Sequence, residues 1–133
     1  MNASSTLIIK DHMREVMVSF TPETAVLRAV DQLLEQEVSG APVLDQLGNI
    51  VGFLSERDVM AVALDSGYYD DPAGKVGTLM STTIHTVDAE DSIVAAARIF
   101  RDTPVKTLPV LKDSRLVGMI TRRDVLRAFV RQR

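Results

Sequence analysis

The sequence contains no cysteine and only two histidines, His12 and His85. A chain without cysteine forms no disulfide and carries neither a thiol nucleophile nor a thiolate ligand for zinc. Two histidines are also too few for a multi-histidine metal centre. The sequence therefore excludes disulfide-stabilised scaffolds, cysteine enzymes and the common zinc sites, and it predicts no required cofactor.

Long apolar runs are also missing. No stretch approaches the ~18 residues that a membrane-spanning helix needs. The first ten residues lack the basic segment, followed by an apolar one, that marks a secretory signal. The net charge of −3 gives the chain no overall attraction to nucleic acid or to an anionic membrane. We therefore expect a cytoplasmic protein with neither nucleic acid nor membrane as a partner.

One short motif occurs twice in the 133 residues. Gly52 to Asp58 and Gly118 to Asp124 both read glycine, two apolar residues, a hydroxyl residue, two charged residues and aspartate. The surrounding pattern repeats with an offset of 67 residues before a predicted hairpin turn and 66 after it, so one residue is lost at the turn. The sequence thus predicts an internal duplication.

Each repeat reads as a β-α-β-β-α unit. In the first repeat we predict a helix with Thr21 as N-cap and Pro22 as first residue, a hairpin of strands 41–44 and 50–54, and a helix capped by Ser55. In the second we predict a β-rich run at 82–87, a helix with Asp88 as N-cap, a hairpin of strands 108–111 and 116–120, and a helix capped by Thr121.

A single repeat is too small to bury its own apolar face well. We therefore predict an α+β fold in which the two repeats pack about a pseudo-two-fold axis. The predicted limits are an N-terminal segment at 1–10, the first repeat at 11–64, a linker at 65–76 and the second repeat at 77–133.

The duplicated pattern resembles the CBS domain family, specifically a tandem CBS pair, or Bateman module. The matching residues are 39–43 with 52–58, and 106–110 with 118–124. The resemblance implies a regulatory module that binds an adenosine-containing ligand, such as AMP, ADP, ATP or S-adenosylmethionine, in clefts between the repeats. It also implies that Asp58 and Asp124 hold the ribose hydroxyls, with Ser55 and Thr121 beside them.

Simple chemistry agrees with these implied roles. A carboxylate accepts two hydrogen bonds from a vicinal diol, and a helix N-terminus offers N–H groups and a positive dipole end to phosphate. Arg57 and Arg123 would add charge-assisted contacts.

The resemblance also implies contacts from the residues ahead of the strand prolines and from apolar residues around the adenine. Ser39 stands ahead of the proline in the first repeat, and Lys106 and Thr107 stand there in the second. Because the first repeat lacks a basic residue at this place, the second is predicted to be the better phosphate site. The implied adenine slots consist of Met17, Val38 and Leu54 on one side, and of Thr83, Ile84, Val105 and Ile120 on the other.

A second interpretation stays open. Ser55-x-x-Asp58 and Thr121-x-x-Asp124 are also capping patterns, which stabilise a helix start without any ligand. The chain would then be a ligand-free dimerisation or adaptor module. Under either interpretation we predict no catalytic activity, a homodimer, and an output through self-association or a separate effector protein.

Overall fold

The computed structural model describes residues 7–66 and 74–131. They form a mixed α+β fold, as the sequence predicts. The elements, in chain order, are a 3-10 helix at Ile9–Asp11, α1 Val26–Gln36, β1 Gly40–Leu44, β2 Ile50–Ser55, α2 Glu56–Ser66, α3 Val76–Leu79, β3 Val87–Asp88, α4 Ile93–Asp102, β4 Thr107–Lys112, β5 Arg115–Thr121 and α5 Arg122–Arg131. Within these ranges no helix has the length and apolar character needed to cross a membrane.

The two predicted hairpins are confirmed, and they match each other in detail. β1 pairs antiparallel with β2, and β4 pairs antiparallel with β5. The register shifts at Val43/Leu44 in the first and at the corresponding Val110/Leu111 in the second. The first turn is longer and includes Gly48 at φ 86°, whereas the second turn consists of Asp113 and Ser114, both with positive φ. Left-handed residues suit tight hairpin turns because their twist matches that of the strands.

The predicted start of α1 is wrong. The helix begins at Val26 rather than at Pro22, and Thr21 is not its N-cap. The hydroxyl oxygen of Thr24 accepts a hydrogen bond from the Thr21 N–H at 3.0 Å, so this stretch closes a local turn instead. The N–H of Val26 donates to the carbonyl of Gly74 at 2.9 Å, which satisfies a donor at the helix start without a side-chain cap.

The predicted start of α4 is wrong for a related reason. Asp88 accepts the N–H of Glu90 at 2.8 Å and so forms a turn ahead of the helix. Ser92 is the N-cap, since its hydroxyl accepts the N–H of Val94 at 3.1 Å. The β-rich run at 82–87 is also shorter than predicted, because only Val87–Asp88 forms a strand there, parallel to β4. Helices α1 and α4 nevertheless begin 67 residues apart, so the duplication holds.

The chain folds into two compact units, one built from two segments that are distant in sequence and the other from the single stretch Met17–Ile84. The described part of one unit is 7–16 with 85–131, and that of the other is 17–66 with 74–84. In the first unit Arg14 forms an antiparallel bridge with Met119 of β5. In the second unit Ser81 forms the corresponding bridge with Phe53 of β2. The segment that opens each repeat in sequence therefore pairs with the hairpin strand of the other repeat. The predicted repeat limits describe the sequence pattern and stay a prediction; residues 1–6 and 67–73, which belong to the N-terminal segment and the linker, lie outside the described residues.

Each compact unit has its own apolar core. The core of the unit with α4 and α5 contains Ile9, Val87, Ala89, Ile93, Ala96, Leu108, Val110, Ile120, Val125 and Ala128. The core of the unit with α1 and α2 contains Val18, Phe20, Val26, Ala29, Leu33, Ala41, Val43, Leu54 and Val76. The 3-10 helix and α3 each contribute one fully buried residue, Ile9 and Val76, at equivalent positions of the two repeats.

Candidate ligand sites at the two capped helix starts

Both copies of the repeated motif form the same reciprocal cap. The hydroxyl of Ser55 accepts the N–H of Asp58 at 3.0 Å, and the Asp58 carboxylate accepts the N–H of Ser55 at 3.1 Å. Thr121 and Asp124 make the same two bonds at 3.1 and 2.9 Å. The predicted caps are therefore confirmed, and each carboxylate is held at the positive end of a helix. A side-chain cap of this kind typically stabilises a helix by about 1 kcal/mol.

Strand pairing brings further predicted residues to these helix starts. The N–H of Glu56 donates to the carbonyl of Ser39 at 2.9 Å, and the N–H of Arg122 donates to the carbonyl of Lys106 at 3.3 Å. Thr107 pairs directly with Thr121 across the second hairpin. Each unit thus brings together a hydroxyl, a carboxylate and the residue ahead of the strand proline. In the unit with α5 this set includes the exposed Lys106 ammonium, in line with the charge expected of a phosphate site.

The residues of the implied adenine slots differ in burial, and those of the second slot lie in two different compact units. Leu54 and Ile120 are fully buried in the two cores. Val38, Ile84 and Val105 are half-buried, whereas Thr83 and Met17 are exposed. Thr83 and Ile84 belong to a different compact unit from Val105 and Ile120, so neither unit by itself assembles the second slot. The roles of these residues in binding adenine stay predictions, as do those of the exposed Arg57 and Arg123.

Asp124 has partners that the repeated motif does not predict. The guanidinium of Arg14 donates to both carboxylate oxygens, through Nε at 3.0 Å and through the terminal nitrogen at 2.5 Å. Arg127, one helical turn further along α5, donates to the same carboxylate at 3.0 Å. The i,i+3 spacing of Asp124 and Arg127 is a signal that sequence alone contains. The Arg14 contact has no such signal, because 110 residues separate the partners.

These contacts determine the charge of Asp124, whose side chain is only 7% exposed. Burial by itself raises the pKa of this carboxyl, because it penalises the charged form. Hydrogen bonds from Arg14 and from the Thr121 N–H, together with the Arg14 charge, oppose that effect and outweigh it. The pKa of Asp124 is therefore lowered from its ordinary value of 3.8, and the group is ionised at neutral pH.

This shift predicts a specific loss of stability in acid. Because folding lowers the pKa of Asp124, the carboxylate stabilises the fold above pH ~4, and this contribution disappears as the pH falls through the depressed folded pKa. We expect Asp124→Asn to lower the free energy of unfolding by about 1–2 kcal/mol at pH 7, since the half-exposed Arg14 is screened by water, and by clearly less at pH 3. Urea unfolding at both pH values measures the difference.

Asp102→Asn is the matched control for that measurement. Asp102 pairs with Arg101 on the exposed surface of α4, where ion pairs contribute little. A gap between wild type and Asp124→Asn that stays constant or widens in acid would contradict the assigned shift.

Two grooves on the described surface are not lined by Ser55, Asp58, Thr121 or Asp124 themselves. One groove of about 290 Å³ lies along α5 and is lined by Arg123, Leu126, Arg127, Val130 and Arg131. Another, of about 360 Å³, is lined by residues including Thr21, Thr24, Arg28 and Asp45. Within the described ranges no cluster of three or more histidines or acidic residues is arranged to hold a metal ion.

Comparison with known proteins accounts for the duplicated cap and hairpin. The family model of the CBS domain matches the chain twice, at residues 9–65 and 76–131. The chain belongs to the CBS domain family. The resemblance carried by the two motifs is thereby confirmed, and the described elements make up two CBS repeats.

Individual relatives cover most of the chain. A CBS domain-containing protein of Dictyostelium discoideum is 29% identical over 135 residues, which span 94% of this chain and 92% of that protein. An uncharacterized protein of Methanocaldococcus jannaschii is 33% identical over 106 residues, 79% of this chain, but the matching stretch is only 25% of that protein's length. The crystal structure of CBSX2, a protein of Arabidopsis thaliana, in complex with AMP superposes with a TM-score of 0.80 at 30% identity and covers 93% of this chain and 96% of that one.

Proposed function

We propose that this CBS pair is a regulatory module, without catalytic activity of its own, that binds an adenosine-containing ligand at its capped helix starts. The observation that carries the proposal is the state of Asp58. Its half-buried carboxylate accepts the N–H of Ser55 but, among the described residues, forms no ion pair. A carboxylate has about four acceptor positions, so Asp58 retains the capacity to accept two hydrogen bonds from a ribose diol.

The AMP complex of CBSX2 supports adenosine as the ligand class, because that protein resembles this chain over nearly its whole length. AMP is accordingly our first candidate, followed by ADP, ATP and S-adenosylmethionine. In this proposal the ligand's phosphate, or its equivalent, faces a helix N-terminus. At the Asp58 helix start the nearby residues are Ser39 and Arg57, and at the Asp124 helix start they are Lys106, Thr107 and Arg123.

The output of such a module requires a second protein surface. Ligand binding shifts an equilibrium only if the ligand binds one arrangement of the protein better than another. Exposed apolar side chains on α1, α2 and α5, among them Leu27, Leu34, Met60, Leu126 and Phe129, support self-association into a homodimer. We propose that ligand binding acts through that dimer or through a separate effector, in the cytoplasm.

Asp58→Asn tests the ligand site directly. Asparagine retains an oxygen that can accept the Ser55 N–H, so the cap is largely preserved, but it loses the charge and one acceptor. We expect AMP affinity to fall by about tenfold or more, as the loss of a hydrogen bond to a charged group predicts. Isothermal titration calorimetry measures the affinity, and the ligand-induced rise in thermal midpoint gives a second readout.

Asp102→Asn on α4 makes the same change of charge away from the cap and should bind AMP like wild type. The competing interpretation, a ligand-free adaptor, predicts a different result. In that case none of AMP, ADP, ATP and S-adenosylmethionine would bind wild type, and Asp58→Asn would change stability only. Wild-type AMP affinity in Asp58→Asn would also reject Asp58 as the ribose ligand.

A further inference from the structure

The two cap carboxylates are chemically unequal although their caps are the same. Asp124 accepts four hydrogen bonds: two from Arg14, one from Arg127 and one from the Thr121 N–H. An ionised carboxylate has about four acceptor positions, so Asp124 is saturated by its own chain. Asp58, in the equivalent position, accepts the N–H of Ser55 and has no ion-pair partner among the described residues.

The difference arises from two substitutions between the repeats. The bridges Arg14–Met119 and Ser81–Phe53 are equivalent, so Ser81 occupies in one unit the place of Arg14 in the other. Ser81 carries no charge and therefore forms no ion pair, and its hydroxyl donates to the carbonyl of Thr83. On the helix, the residue that corresponds to Arg127 is Ala61, which has no donor side chain.

The Arg14 contact is also reversible in principle. The carboxylate of Asp124 is 7% exposed, but the Arg14 side chain is 52% exposed. An arginine that already lies half in water gains further solvation when it turns outward, and this offsets part of the hydrogen bonding that it gives up. A ligand diol that approached Asp124 would have to displace Arg14. The apparent affinity would then equal the intrinsic affinity multiplied by the fraction of molecules in which Arg14 is withdrawn.

We propose that Arg14 is an internal competitor that keeps the Asp124 site closed, so that the first adenosine ligand binds at Asp58. This inference rests on the proposed function and deepens it. It reverses the expectation, based on Lys106 and Thr107 alone, that the second repeat would be the better site. Phosphate contacts cannot make a good site where the Asp124 carboxylate is not free to accept the ribose diol. Arg14 thereby determines how many ligands the chain binds, without being needed for binding at Asp58.

Calorimetric titration of the full-length protein with AMP tests this proposal. Wild type should show one strong site per chain. Asp58→Asn should weaken that site by about tenfold or more, while Asp124→Asn should leave it nearly unchanged. Arg14→Gln removes the bidentate charge but keeps a long polar side chain, and it should reveal a second AMP site or tighten a weak one by at least about fivefold.

Two controls make the result specific. The gain in Arg14→Gln should vanish in the double variant Arg14→Gln/Asp124→Asn, because the new site needs the freed carboxylate. Arg101→Gln removes an equally charged side chain from an exposed pair on α4 and should bind AMP like wild type.

The possible failures are distinguishable. Two AMP sites of equal affinity in wild type, or weaker second-site binding in Arg14→Gln, would overturn the competitor role of Arg14 and leave the proposed function standing. If none of AMP, ADP, ATP and S-adenosylmethionine bound to any folded variant, the proposed function would be overturned and this inference with it.

Discussion

Replacing Ile120 by alanine is expected to lower the free energy of unfolding by about 2–5 kcal/mol. Ile120 is fully buried in β5, where it pairs with Leu108 and belongs to the same core as Ile9, Val110 and Val125. Truncation removes buried methyl groups and leaves a cavity that fixed strands cannot close, so both terms destabilise the fold. Chemical unfolding followed by circular dichroism measures the effect.

Leu54→Ala makes the equivalent change in the other compact unit, because Leu54 is the fully buried residue of β2 at the matching position. We expect a loss of the same order. Leu126→Ala is the control, since that side chain is 61% exposed on α5 and should cost well under 1 kcal/mol. The assigned core would be wrong if Ile120→Ala cost no more than Leu126→Ala.

Adding one methyl group at Gly118 is the second large expected effect. A Cβ there would lie 2.6 Å from the sulfur of Met13 and 2.9 Å from the carbonyl oxygen of Arg14. The sulfur sits on a flexible side chain and can move, but the carbonyl accepts the N–H of Met119 at 2.9 Å and is fixed by that bridge. We expect Gly118→Ala to cost about 1–3 kcal/mol, with the segment around Arg14 displaced from β5.

Met13→Ala added to Gly118→Ala should recover only part of that stability, because it removes the contact with sulfur and leaves the contact with the Arg14 carbonyl. Hydrogen exchange at the Arg14 N–H, which donates to Met119 at 2.8 Å, reports the displacement. Wild-type stability and exchange in Gly118→Ala would show that residues 13 and 14 do not pack on β5 as described.

The requirement for glycine at this place also explains why the repeated motif begins with one. Gly52 has the same surroundings in the other unit, with Met80 in the place of Met13 and the carbonyl of Ser81 at 3.1 Å from a Cβ added there. The glycines are therefore sites of close backbone approach by the exchanged segments. The sequence pattern marks them as special but does not show what approaches them.

Features that depend on neighbouring residues were predictable. The hairpins and both hydroxyl–aspartate caps involve partners that are close in sequence, and each of these features occurs once in each repeat. The starts of α1 and α4 were predicted wrongly although they too are local. Thr21 and Asp88 both had cap-forming side chains, but these segments form turns of their own, and the helices begin where Val26 and Ile93 enter the cores.

By itself, then, the sequence determined the α+β class, the two CBS repeats and the pair of equivalent carboxylates at helix starts, because these follow from short-range hydrogen bonding and from a pattern stated twice. Only the tertiary structure decided that the segment that opens each repeat pairs with the hairpin strand of the other repeat. Through this pairing Arg14 reaches Asp124, while Ser81 occupies the equivalent place in the other unit. Contacts across such sequence distances depend on the packing of both cores, which no local pattern encodes. The two copies of the Gly-to-Asp motif are alike in sequence, and their different partners make them chemically distinct.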